Sequence, residues 1–87
     1  MNKEIPSINI KLFGILRERM KSNNLAITIK DNSILLKDLK KYLRELYPAL
    51  NVDDVDFVFA VNRVITNEDV TISSEDEIAL IPPVSGG

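Results

Sequence analysis

One stretch of this chain constrains its fold more than any other. From Leu36 to Tyr47, the residues Leu36, Leu39, Leu43 and Leu46 recur at spacings of three and four, with Lys37, Asp38, Lys40, Lys41, Arg44 and Glu45 between them. That spacing puts the leucines on one face of a helix and the charges on the other. A lone apolar stripe has to be buried against another layer, and the segments on either side are patterned as strands. Ser33 is the candidate N-cap, without a capping-box acid, and Pro48 restricts Tyr47 and stops the helix.

Ile8, Ile10 and Leu12 alternate with Asn9 and Lys11, the period of a half-buried strand that begins after Pro6 and ends at Gly14. Ile15 to Met20 then forms a short helical turn before the polar Lys21-Ser22-Asn23-Asn24 break. Leu25, Ile27 and Ile29 alternate in a second strand, which pairs antiparallel with the first. Beyond the helix and the polar loop Asn51 to Asp56, the run Phe57-Val58-Phe59-Ala60-Val61 is apolar at every position, as in a strand covered on much of both faces. Asn62-Arg63 is a hairpin turn into a short strand at Val64-Ile65-Thr66. Ser73 to Asp76 turns into a last strand at Glu77 to Ile81. The order predicts an α+β domain over residues 1–81. Its mixed sheet has about four to five strands, with one main helix packed on one face and the short helical turn after strand one. This is the β-grasp, or ubiquitin-like, arrangement.

Composition removes most catalytic templates. The 87 residues fit one domain, and 45% apolar with 28% charged is ordinary for a globular chain. There is no cysteine, so no disulfide, thiolate ligand or cysteine nucleophile. There is no histidine, so the commonest general base and neutral metal ligand are missing too. A formal charge of −2 gives no basic field for nucleic acid. No apolar run approaches the roughly 20 residues of a membrane helix, and no signal-peptide h-region is seen. A cytoplasmic protein that binds other proteins, with no nucleic acid and no membrane, is the expectation.

Residues 82–87, Pro82-Pro83-Val84-Ser85-Gly86-Gly87, fall outside the predicted fold as a flexible tail. Each proline removes a ladder donor and fixes φ, so the chain should leave the sheet extended. Six extended residues reach about 20 Å. Gly86 and Gly87 bring no side chains, so they fit a channel only as wide as backbone. A Gly-Gly end arises by chance about 0.5% of the time. A bare carboxylate is a poor electrophile and needs activation by another enzyme. Adenylation would supply a leaving group; a sulfur nucleophile would then give a thiocarboxylate and an amine an amide. The tail alone supports either sulfur transfer or protein conjugation.

The run Asp76-Glu77-Ile78-Ala79-Leu80-Ile81-Pro82-Pro83-Val84-Ser85-Gly86-Gly87 resembles the ending of the MoaD family, the sulfur-carrier subunits of molybdopterin synthase within the MoaD/ThiS ubiquitin-like superfamily. Leu12 to Glu18 and Ala60-Val61-Asn62 are similar to the same family, so the likeness covers nearly the whole chain. It implies that Gly87 is the working residue, adenylated and then converted to a thiocarboxylate, with Gly86, Ser85, Val84, Pro83 and Pro82 threading the tail into a partner. Sulfur would pass to cyclic pyranopterin monophosphate in molybdenum or tungsten cofactor synthesis. The implied partners are the large synthase subunit in a heterotetramer, an adenylating enzyme related to ubiquitin activators, and a sulfur donor. ATP would serve the activating enzyme, and this chain would hold no permanent cofactor and no metal. Catalytic residues, including a lysine, would lie on the large subunit, leaving this chain a non-catalytic carrier. The alternatives are a ubiquitin-like modifier joined through Gly87 to lysines, a carrier for thiamin or tRNA thiolation, and a purely structural interaction domain.

Strand parity marks a docking face. If Ile8, Ile10 and Leu12 face the helix, Phe13 faces away, and Ile81 shares parity with Glu77 and Ala79 and not with the core-facing Ile78 and Leu80. Positions matching Phe13, Ile65 and Ile81 form the apolar partner-binding face in the family, and such patches commonly mark interfaces. Other signals are weaker. Lys37, Lys40, Lys41 and Arg44 form a basic stripe best explained as a solvated helix face. Asp53, Asp54 and Asp56 lack the glycine and final glutamate of an EF-hand. Glu75, Asp76 and Glu77 suit a turn, and Phe57, Phe59, Tyr42 and Tyr47 suit the core or its edge.

Overall fold

A computed structural model describes residues 7–50 and 56–82. In chain order the elements are β1 (Ser7–Leu12), α1 (Gly14–Met20), β2 (Asn24–Thr28), β3 (Ser33–Leu35), α2 (Leu36–Leu46), a 3₁₀ turn (Pro48–Leu50), β4 (Val58–Val61), β5 (Val64–Thr66), β6 (Thr71–Ser73) and β7 (Ile78–Ile81). Five strands form one mixed sheet in the order β2-β1-β7-β4-β5, while β3 and β6 make a separate two-stranded ribbon. β7 sits in the middle, parallel to β1 and antiparallel to β4. This is the expected ubiquitin-like β-grasp.

The alternations in the sequence become registers. Ile8 lies opposite Ile27 and Ile10 opposite Leu25 across the antiparallel β1–β2 pair, and all four are buried. Leu36, Leu39 and Leu43 project from α2 onto that face, where Phe57, Phe59, Ile78 and Leu80 are also fully enclosed. Phe57 and Phe59 meet edge to face, with ring centroids 5.8 Å apart. The hairpin between β4 and β5 turns through Asn62 and Arg63, both at positive φ (52° and 73°), the tight turn whose twist suits paired strands. α1 closes at Lys21, whose left-handed φ of 54° lets the Lys21 and Ser22 N–H groups donate to the Glu18 and Arg17 carbonyls.

Several expectations are corrected. Ser33 is not the N-cap of α2; it lies in β3, and the cap position is Leu35, which offers no side-chain oxygen. The first-turn N–H groups are satisfied instead by tertiary structure, Leu36 donating to the Val70 carbonyl at 2.9 Å and Lys37 to Glu68 at 3.0 Å. Leu46 is 46% exposed although it continues the leucine stripe, because α2 ends there and Leu50, swung in by the 3₁₀ turn, fills the core in its place. Val58 is exposed, so β4 is covered at Phe59 and Ala60 but not on both faces throughout. Tyr42 is exposed, while Tyr47 packs against the core.

The basic stripe of α2 is also only partly solvated. Lys40 Nζ bridges Glu68 at 2.8 Å and Asp56 at 3.0 Å, Arg44 pairs with Asp56 at 2.7 Å, and both cations lie over the Phe57 ring. Lys37 and Lys41 remain exposed.

Candidate functional site

The sheet has a second face, turned away from α2. Pairing places Lys11 beside Ala79, Ala79 beside Ala60 and Ala60 beside Ile65, so these residues form one row across four strands. The next row toward the end of β7 contains Val58 opposite Ile81. Phe13, one residue past β1, falls on the same outward parity. Phe13 is 46% exposed, Ile65 61% and Val58 41%, whereas Ile81 and Ala79 are half-buried. The small side chains of Ala60 and Ala79 leave a hollow of about 480 Å³ between Phe13, Ile65 and Ile81. The structure therefore brings the three sequence-predicted docking residues together around one depression.

Val58 extends this face and was missed by sequence reasoning. Its run is apolar throughout, which hides parity, but splitting the run into Phe57-Phe59 and Val58-Ala60 separates the core side from the outward side.

Charge borders the hollow on its far side. Glu77 accepts from Lys11 Nζ at 3.0 Å and lies 3.8 Å from Arg63 Nε. The Lys11 hydrogen bond, helped by the positive charges of Lys11 and Arg63, lowers the Glu77 pKa. Asn62 fixes the local backbone: its N–H donates to the Glu77 carbonyl at 2.7 Å, its Oδ1 accepts from the Glu77 N–H at 3.0 Å, and its Nδ2 donates to Asp76 Oδ1 at 3.0 Å. The Ser73 backbone N–H and the Asn62 amide hold the Asp76 carboxyl below its ordinary range, so these acids close a turn. Among the described residues no group of three or more acids is placed to hold a metal.

β7 ends at Ile81 and Pro82 follows, so the chain leaves the sheet at the edge of the Phe13–Ile81 row. Pro83, Val84, Ser85, Gly86 and Gly87 lie outside the described residues. A separate hollow of about 530 Å³, between the end of β2 and α2, is lined by residues such as Ile29, Ile34 and Tyr42 and is remote from that exit.

Residues 10–87 match the ThiS family. The chain belongs to the ThiS family. A protein of Dictyostelium discoideum named molybdopterin synthase sulfur carrier subunit is 32% identical over 80 residues, covering 90% of this chain and 93% of the relative. A solved complex of subunits 1 and 2 of the molybdopterin-converting factor from Helicobacter pylori contains a similar chain, 30% identical with a TM-score of 0.56, over 93% of this chain and 99% of that one. Small archaeal modifier protein 1 of H. volcanii is 26% identical with a TM-score of 0.73, over 90% and 98% of the two chains. Among the described residues of the ThiS-family chain, no helix is long and apolar enough to cross a membrane.

Proposed function

We propose that this chain is the sulfur-carrier subunit of a molybdopterin synthase and acts through the carboxylate of Gly87. The observation that carries the reading is the near full-length likeness to a chain named as such a carrier. An outward apolar face at the chain's exit from the sheet, on a domain with neither cysteine nor histidine, agrees with it. The domain brings a handle and a docking surface, and the chemistry is done by others.

In the first step a Gly87 carboxylate oxygen attacks the α-phosphorus of ATP on an activating enzyme, expelling pyrophosphate and leaving an acyl adenylate. Sulfide released by a donor protein then attacks the acyl carbon and expels AMP, so that a C–S bond replaces the C–O bond to AMP, the sulfide proton is lost to solvent, and the terminus becomes a thiocarboxylate. Docked through Phe13, Ile65 and Ile81, the carrier presents that sulfur to a cyclic pterin phosphate held by the large subunit. The H. pylori complex, which pairs subunits 1 and 2 of the converting factor, supports a large-subunit partner here. ATP is a reagent of the activating enzyme and not a resident of this chain, and the cycle belongs in the cytoplasm.

The test is mass spectrometry of the chain after incubation with ATP, activating enzyme and sulfur donor, followed by addition of the large subunit and pterin precursor. Replacement of one terminal oxygen by sulfur, then its loss to the pterin, supports the reading. Isopeptides from Gly87 to lysines, the chemistry of a protein modifier, would replace it.

A further inference from the structure

β2 lies at one edge of the sheet and β5 at the other, so β2 pairs with β1 alone. The phase of that pairing decides which backbone groups face outward. The Leu12 N–H donates to the Asn23 carbonyl at 2.8 Å, and bonds in an antiparallel pair recur at every second residue, so Leu25 and Ile27 turn their N–H and C=O groups toward β1. Asn24, Ala26 and Thr28 turn theirs to the free edge. At Asn24 a side chain closes that edge: Ser22 Oγ accepts from the Asn24 N–H at 3.3 Å and donates to its carbonyl at 2.7 Å. Ala26 and Thr28 have no such cover among the described residues. Two N–H and two C=O groups stand open there, a template for one more strand.

The open stretch runs into the hollow of about 530 Å³ between the end of β2 and α2, which Thr28 helps to line. Ile29, Ile34, Leu35 and Tyr42 give that hollow apolar walls. Asp31 and Asp38 are exposed on it, and neither forms an ion pair among the described residues. Lys30 is the single cation lining it, which leaves its border with net negative charge. The edge suits extended backbone, the hollow suits apolar side chains at every second residue of such a backbone, and the border suits a cation.

We propose that the β2 edge and this hollow form a second protein-docking site, filled by an extended peptide segment of a partner. The segment adds a strand beside Ala26 and Thr28, sets alternate apolar side chains into the hollow, and carries a lysine or arginine against Asp31 and Asp38. A second copy of this chain fits less well. Its own β2 could meet the open groups, but its Leu25 and Ile27 are buried in its own core and cannot fill the hollow. Pairing two residues from each chain also covers far less than the roughly 1,200 Å² of a stable interface. The site shares no residue with the Phe13–Ile65–Ile81 hollow and does not rest on the sulfur-carrier reading.

Amide exchange in the free chain is read first. Leu25 and Ile27 should be protected, whereas Ala26 and Thr28 should exchange freely; protection of the second pair would mean that the edge is already covered and would overturn the proposal. Random dodecapeptides displayed on phage are then selected on the whole chain. We expect enriched sequences that alternate apolar and polar residues and end in lysine or arginine, and a synthetic copy of the most enriched one should slow exchange at Ala26 and Thr28. Ala26→Pro removes an outward N–H and no bond to β1, so the domain keeps its fold while the Kd for that peptide rises about tenfold. Asp31→Lys with Asp38→Lys, both on the surface, gives a reading free of any effect on the strand: the Kd again rises about tenfold, and glutamate in place of the peptide's basic residues restores it. No enrichment, a peptide that leaves the Ala26 and Thr28 amides unchanged, or a Kd indifferent to either change overturns the proposal. So does a dimer in sedimentation that Ala26→Pro dissolves, since a second copy would then be the occupant.

Discussion

Truncating Phe13 tests the docking face with a magnitude fixed by its exposure. The side chain is 46% exposed. For a phenylalanine of roughly 200 Å² this leaves about 90 Å² for a partner to cover. At about 25 cal/mol per Å² the loss in Phe13→Ala is about 2 kcal/mol, or about 30-fold in Kd. Phe13→Asp should weaken binding more than about 100-fold, because a carboxylate would also have to be stripped of water at the apolar hollow. Neither change opens the core, since Phe13 points away from α2, so thermal melts of the isolated chain should move little. Isothermal titration against the large subunit measures the Kd. Unchanged affinity for both variants, beside a normal melt, would refute the assignment of this face.

Leu39→Ala and Leu43→Ala should destabilise the domain by about 2–5 kcal/mol in urea melts, each opening a cavity under α2, while Leu46→Ala should cost less than about 1 kcal/mol. Burial opposes the Lys40 ammonium, but Glu68 and Asp56 outweigh it and raise its pKa above 10.5; burial likewise opposes the Asp56 carboxylate, but Lys40, the Phe57 N–H and Arg44 hold it below 3.8. Their contribution to stability is therefore present at neutral pH, lost as pH falls through the depressed Asp56 value, and lost again as pH rises past 10.5 through the raised Lys40 value. Because Asp56 is largely exposed, Lys40→Met should cost only about 1 kcal/mol at pH 7 and flatten both limbs of a melt-against-pH curve. Gly86→Val should severely impair thiocarboxylate formation by restricting φ and widening the threaded segment, whereas Ser85→Ala should be mild, as followed by ATP-dependent sulfur incorporation.

The elements that could be read from sequence are those with local causes. Ile8, Ile10 and Leu12 declare their strand by alternation, Leu36, Leu39 and Leu43 their helix by spacing, and Asn62-Arg63 its turn. The ribbon of β3 and β6 was not legible, because three-residue strands carry no periodicity and are defined by each other. The N-terminal cap of α2 was misread for a related reason: the acceptors come from Glu68 and Val70, some thirty residues along the chain. Leu46 and Leu50 exchanged roles because the 3₁₀ turn after Pro48 redirects the chain, which a helical template continues past its end. At the site, parity located Phe13 and Ile81, but the pairing of Ile81 with Val58 and the neighbouring row that brings in Ile65 depend on strand order.

The central claim is that folding and chemistry reside in separable parts of the chain, the chemistry in one terminal carboxylate. Its most direct test compares the wild type with the chain lacking Gly87 by intact mass after incubation with ATP, activating enzyme and sulfur donor, alongside thermal melts. The account predicts a thiocarboxylate on the wild type, none on the shortened chain, and coincident melts. Sulfur incorporation by the shortened chain, or a wild type that gains no sulfur and instead forms Gly87 isopeptides, would contradict it.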